Sequence, residues 1–240
     1  PGSSAPGPFV EWRGRTWFAA TDASEGREPW VSDGTAAGTT RLVSLVAGAQ
    51  GSAPADFTAL HDRIVFAAMG PRGRELWSSD GTASGTAMID LDPSTPALPE
   101  SFVRMGDRVY FTAFDGAHGR ELWSTDGTIA GTQLVVDLRP GTAGARIHGL
   151  MLSAGRLWFS GSIAHPTLDD DLEPWVSDGT ASGTFRLADI APGIASSSPV
   201  PFVEFSGRTW FTAAASAQGR DLWVSDGSVA GTLPFLATAQ

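Results

Sequence analysis

Two observations predict an all-β fold for this chain. One motif recurs five times, and each copy follows short aromatic-rich stretches that have strand composition and no helical spacing. The first copy reads Glu28-Pro29-Trp30-Val31-Ser32-Asp33-Gly34-Thr35. It returns as Glu75 to Thr82, Glu121 to Thr128, Glu173 to Thr180 and Asp221 to Ser228. Each copy adds a Gly-Thr pair: Gly38-Thr39, Gly85-Thr86, Gly131-Thr132, Gly183-Thr184 and Gly231-Thr232. The motif tryptophans Trp30, Trp77, Trp123, Trp175 and Trp223 stand 47, 46, 52 and 48 residues apart. A period of that size with several strands per unit is the signature of a propeller. The sequence therefore predicts a five-bladed β-propeller with four antiparallel strands per blade. It forms a single domain, 1–240, of repeats near 1–48, 49–94, 95–141, 142–193 and 194–240. Five units also fit a slice of a longer array.

The first unit shows the elements in order. Phe9 to Trp12 is a short strand, Arg13-Gly14 a two-residue turn, and Arg15 to Ala20 a second strand rich in aromatic and small residues. A loop with Asp22 and Gly26 leads to a third strand, Arg27 to Ser32. Asp33 to Gly38 turns the chain into a fourth, Thr39 to Val46. The second strand carries Phe18, Phe66, Phe111, Phe159 and Phe211 in one column and Trp17, Val65, Tyr110, Trp158 and Trp210 in the next. Adjacent residues on a strand face opposite sides, so two neighbouring apolar columns predict a sheet buried on both faces, as in stacked blades.

The Asp-Gly-Thr stretch reads as turn chemistry. Asp33, Asp80, Asp126, Asp178 and Asp226 can accept from backbone N–H groups two residues on, glycine supplies a positive φ, and threonine hydroxyls close remaining donors. Calcium at these turns is disfavoured, because it takes six or more oxygens and each turn offers one carboxylate. The acid ahead of each tryptophan (Glu28, Glu75, Glu121, Glu173, Asp221) reads as an inter-blade hydrogen-bonding group. Its neighbour is Arg27, Arg74, Arg120 and Arg220, but Leu172 in the fourth unit, so an anion site on that column is at most fourfold.

At these residues the chain resembles the bacterial ELWxxDGT repeat family, across all five units. It departs from the motif at Pro29, Pro174, Asp221 and Ser228. The resemblance implies a propeller and a secreted or surface-associated location, with the periplasm also allowed. It transfers no catalytic residue.

Composition narrows the function further. The formal charge of -10 and a pI near 4.7 exclude a phosphate-binding surface built on clustered cations, so no nucleic acid is expected. All sixteen basic residues other than histidine are arginine. No run of eighteen apolar residues exists, so no membrane span is expected. The start, Pro1-Gly2-Ser3-Ser4-Ala5-Pro6, lacks the features of a signal peptide and an initiator Met, which points to a trimmed piece of a longer chain. Zero cysteines remove disulfides, thiol nucleophiles and thiolate metal sites.

Catalytic residues are not expected, nor is a cofactor. The single tyrosine, Tyr110, sits in an apolar strand column. His61, His118, His148 and His165 hold non-equivalent places in their units, which disfavours an axial metal site. Two candidate binding regions break the repeat symmetry. The fourth unit lengthens one loop to Ser162–Asp171, where His165, Asp169, Asp170 and Asp171 concentrate hard ligands. The first strands carry Glu11, Arg104 and Glu204 in one mixed column, as a charge cluster at a channel mouth or as ion pairs between blades. The leading expectation is a non-catalytic secreted binding module for glycan or protein, gaining by avidity from repeated sites. A structural scaffold that presents surfaces to partner proteins comes second, and a hydrolase last.

Overall fold

In a computed structural model the chain forms five four-stranded antiparallel sheets. The structure describes residues 3–163, 171–193, 195–216 and 219–235, and every regular element among them is a strand. The first sheet is β1 (Val10–Trp12), β2 (Arg15–Asp22), β3 (Gly26–Ser32) and β4 (Thr40–Arg41). The second is β5 (Ala55–Ala59), β6 (Ile64–Gly70), β7 (Gly73–Ser79) and β8 (Ala87–Ile89). The third is β9 (Glu100–Met105), β10 (Arg108–Asp115), β11 (Gly119–Thr125) and β12 (Gln133–Val136). The fourth is β13 (His148–Ser153), β14 (Arg156–Ser162), β15 (Leu172–Ser177) and β16 (Phe185–Arg186). The fifth is β17 (Phe202–Phe205), β18 (Arg208–Ser216), β19 (Gly219–Ser225) and β20 (Leu233–Pro234). Each sheet keeps its strands in chain order, as a propeller blade does.

Contacts divide the chain into two compact units. One holds Pro1–Val109, Ala113–Gly116 and Ser124–Gln133; the other holds Tyr110–Thr112, Ala117–Trp123 and Leu134–Gln240. Within the first unit, Trp12, Trp17, Ala19 and Val31 of the first sheet pack on Phe57, Ile64, Phe66, Ala68 and Trp77 of the second. Trp17 meets Phe57 at a ring separation of 6.4 Å, and Phe57 meets Phe66 at 5.0 Å. Within the second unit, Trp158 and Val176 of the fourth sheet, with Leu187 and Ile190 of the segment that follows it, pack on Phe202, Phe211, Ala213 and Trp223 of the fifth. There Trp158 meets Phe202 at 6.2 Å, and Phe202 meets Phe211 at 5.3 Å. The chemistry is the same twice: one blade offers a tryptophan and a valine, and the next offers two phenylalanines, an alanine and a tryptophan. Tyr110 is buried in the apolar column that its sequence position predicts.

The fourth strand is the main local correction. A strand from Thr39 to Val46 is expected, yet β4 has two residues. The far end of the expected range is drawn off the sheet. The N–H groups of Leu45 and Val46 go to the carboxylate of Glu28, each at 3.2 Å, and leave the sheet ladder.

Candidate functional site

The repeated turn is a closed network in all five blades. In the first, Asp33 Oδ1 accepts from the N–H (2.9 Å) and the hydroxyl (2.8 Å) of Thr35. Thr35 Oγ1 accepts in turn from Gly38 N–H at 2.9 Å. Thr39 donates its hydroxyl to the Thr35 carbonyl at 2.7 Å, so the Ser32–Thr39 contact of 2.6 Å has Ser32 as donor. Ser32 Oγ then accepts from Gly34 N–H at 3.0 Å. Each of the three hydroxyls donates once and accepts, so none carries an unused proton. A Cβ at Gly38 would overlap the Asp33 carboxylate, which is why glycine recurs there.

The other turns repeat these bonds around Asp80, Asp126, Asp178 and Asp226. The hydroxyl and then the N–H of the partner residue hold Asp80, Asp178 and Asp226 below the ordinary carboxylate value. At Asp33 the N–H of Thr35 contributes most. At Asp126 burial pulls upward, and the bonds from Thr128 outweigh it. Asp126→Ala strands these donors and should cost roughly 1–3 kcal/mol, measured by urea unfolding.

The acid ahead of the tryptophan clamps the segment that leads to the next blade. Glu28 accepts from the N–H groups of Leu45, Val46 and Ser52, and from the Ser52 hydroxyl at 2.5 Å. Glu173 repeats this with Ile190, Ala191 and Ser197. Glu121 takes Leu138 and Arg139 N–H groups. In the second repeat, which has the shortest spacing, Glu75 receives one bond, from Ala97 N–H at 3.2 Å. Its buried Oε1 has no partner among the described residues. Asp92 holds that connection instead, accepting from Ser94, Thr95 and Gly116.

The neighbouring arginines grip carbonyls on the way into their own blade. Arg27 donates to Ala5 and Gly7, Arg74 to Ala53, and Arg220 to Ser198 and Val200. Adjacent residues on one strand point to opposite sides, so an Arg-Glu pair can hold two connections at once.

Burial dominates the titration of three clamp glutamates. It raises Glu75 and Glu173, and it pushes Glu121 from 4.5 up to about 8. A carboxylate raised in the folded state binds protons more tightly there than in the unfolded chain. Its contribution to stability is complete below pH 4.5 and is lost as the pH rises towards about 8. The lowered turn aspartates act in the opposite sense, losing their contribution as the pH falls below the ordinary carboxylate value. Thermal melting should therefore show its highest Tm in mildly acidic buffer. Glu121→Gln, uncharged at every pH, should flatten the alkaline limb.

The sequence-predicted binding residues are placed as follows. His165, Asp169 and Asp170 lie outside the described residues. Asp171 is buried at the start of β15 and ion-paired to Arg186 at 3.2 Å. Its carboxylate lies with those of Glu173 and Asp189, their ligand atoms within 4.8 Å of one another. Arg186 also reaches Asp189, at 3.5 Å. Positive charge is thus already supplied, and the Glu173 oxygens are committed to backbone and Ser197 donors. Arg104 donates to the Ala59 carbonyl at 2.9 Å, and Glu204 accepts from Ala154 N–H at 2.9 Å. Both reach the preceding blade. Glu11 is exposed on β1.

The feature absent from the sequence reading is a groove of about 520 Å³ on the first sheet. Its floor is Phe9, Phe18, Ala20 and Trp30, and Thr16, Asp22, Ser32 and Thr39 rim it. Phe9 and Phe18 meet at 5.4 Å, the same pairing as Phe57–Phe66 and Phe202–Phe211. The signal lay in the Phe9, Phe57, Phe202 column, but a column alone does not tell which member is left open.

No family model matches the chain, and no curated protein matches it. Solved structures do match. A Mycobacterium tuberculosis puromycin-hydrolyzing peptidase shares 13% identity at a TM-score of 0.56, over 95% of this chain and 37% of that one. A structure from a study of two prolyl endopeptidases shares 15% at 0.54, over 92% and 32%. The β-propeller domain of the Trilobed protease from Pyrococcus furiosus, described as having an open velcro topology, shares 12% at 0.51, over 95% and 70%. The fold is a β-propeller fold. The chain spans about a third of the length of the peptidases that it matches.

Proposed function

We propose that this chain is a non-catalytic binding module of the cell exterior or surface, and that its ligand seats in the groove of the first blade. One observation carries the reading. Phe57, Phe66, Ala68 and Trp77, the counterparts of Phe9, Phe18, Ala20 and Trp30, lie in a core against the neighbouring blade. In the first blade Phe18 and Ala20 are buried as well, but Phe9 is 61% exposed where its counterpart Phe57 is 6% exposed, and Trp30 is half-buried. The recurring carboxylates and hydroxyls support the non-catalytic assignment, because hydrogen bonds within the turns and connections engage them in blade after blade. An apolar floor with a polar rim suits a protein surface first. A glycan is the second reading, favoured by the Trp30 ring beside Asp22, Ser32 and Thr39. The exterior location rests on the resemblance of the repeats.

Phe9→Asp tests the assignment, since so exposed a side chain can change without loss of the fold. A glycan array and a panel of surface proteins from the source cell should be probed with parent and variant. Saturable binding abolished by Phe9→Asp is the expected result. Binding that survives the change places the ligand elsewhere.

A further inference from the structure

The groove has a counterpart on the fifth blade. In the first blade Trp12 and Trp17 form an edge-to-face pair at 5.6 Å. That pair is buried under the second blade: Trp12 Nε1 donates to the Leu60 carbonyl at 2.8 Å, and Trp12 is 7% exposed. The matching pair in the fifth blade is Phe205 and Trp210, edge-to-face at 6.5 Å. Here Trp210 is half-buried, and Phe205 is 66% exposed. Leu233 and Phe235 beside it are exposed as well, with Phe235 against Trp210 at 5.0 Å.

The chain thus shows both halves of its own blade–blade interface. The first blade offers the side that receives a neighbour, and the fifth offers the side that covers one. Turn glycines mark the same vacancy. A Cβ on Gly81 would touch Trp12 and Trp17 of the preceding blade, and one on Gly227 would touch Trp158, whereas Gly34 has nothing within 4 Å.

The polar clamp is also split. Ser52 and Ser197 each give an N–H and a hydroxyl to the glutamate of the preceding blade, and their carbonyls accept from Met69 and Ala214. Ser4 holds the equivalent place, its carbonyl accepting from Thr21 N–H at 2.8 Å, and its side chain is exposed. The acid of the fifth blade, Asp221, is exposed too.

We propose that the occupant of the groove is the fifth blade of a second copy of this chain, docked head to tail. Phe205 and Trp210 of one copy cover Phe9 and Trp30 of the next, and Asp221 takes the Ser4 donors. The proposal rests on the groove being the binding surface and names its partner. It commits to a heterologous interface, in which two different patches meet.

Sedimentation of the purified 240-residue chain tests it with two single variants. The parent should associate as its concentration rises. Phe9→Asp and Phe205→Asp should each weaken that association by about tenfold or more, because a carboxylate would enter an apolar contact. Each variant keeps one intact face, and the two intact faces are complementary. An equimolar mixture should therefore give one-to-one pairs at concentrations where either variant alone is monomeric. A parent that stays monomeric throughout, variants that associate as the parent does, or a mixture that fails to pair would overturn the proposal. Those failures leave the ligand screen with Phe9→Asp intact as a separate test of the binding reading.

Discussion

Trp123→Ala is expected to destabilise the protein by about 3–5 kcal/mol, read from the midpoint of urea unfolding with an unchanged slope. Trp123 is buried on β11, in the column shared by Trp77 and Trp175. Those two indoles donate to Ala68 and Gly161 carbonyls at 3.2 and 3.0 Å. The Trp123 indole N–H, by contrast, has no partner among the described residues. Truncation there removes apolar contact and opens a cavity without breaking an indole hydrogen bond. Trp77→Ala adds the lost bond, so it should cost more at similar burial. If Trp123→Ala melts within a degree of the parent, the motif tryptophan is not the packing element described above.

Glu173→Ala should be comparably severe, at about 3 kcal/mol or more, since it strands three buried N–H groups and one hydroxyl at once. Glu75→Ala is the internal control. Glu75 is equally buried, yet it satisfies one donor and carries an unpartnered oxygen, so its loss should cost about 1 kcal/mol. Thermal and urea unfolding of the pair compare one residue type, in one column, with different numbers of bonds. Equal losses would mean that the glutamates act by volume and not as clamps on the connections.

Much of the blade was legible in the sequence because its rules are local. The paired apolar columns on β2 and its counterparts, the Arg13-Gly14 turn and the Asp-Gly-Thr network each depend on residues close in the chain. Even the roles of the turn carboxylate and the strand phenylalanines follow from spacing alone. The length of the fourth strand was not legible. Thr39 to Val46 has strand composition, but its end is decided by Glu28, far enough back in the chain that only the fold brings the two together. The clamp of Arg27 on Ala5 and Gly7 was hidden for the same reason: residues 3–8 carry no strand signal, and a side chain from β3 fixes them.

The groove was hidden for a different reason. Phe9 and Phe57 are the same residue in the same column, and local chemistry treats them alike. Their burial, 61% against 6% exposed, is set by whether a neighbouring blade lies on top. Repetition makes every blade readable and makes the exceptional blade invisible. The acidic loop of the fourth repeat drew attention because it departs from the pattern. Its described aspartate, Asp171, is ion-paired to Arg186.

The central claim is that the recurring carboxylates serve the fold and that ligand contact belongs to the exposed faces. Calcium titration calorimetry on the purified chain tests it most directly, since hard-cation binding is the function that the repeated aspartates would otherwise serve. With Asp33, Asp80, Asp126, Asp178 and Asp226 already accepting from turn donors, no heat should saturate near five ions per chain. Saturation near five, lost site by site as these aspartates are changed to alanine, would contradict the claim.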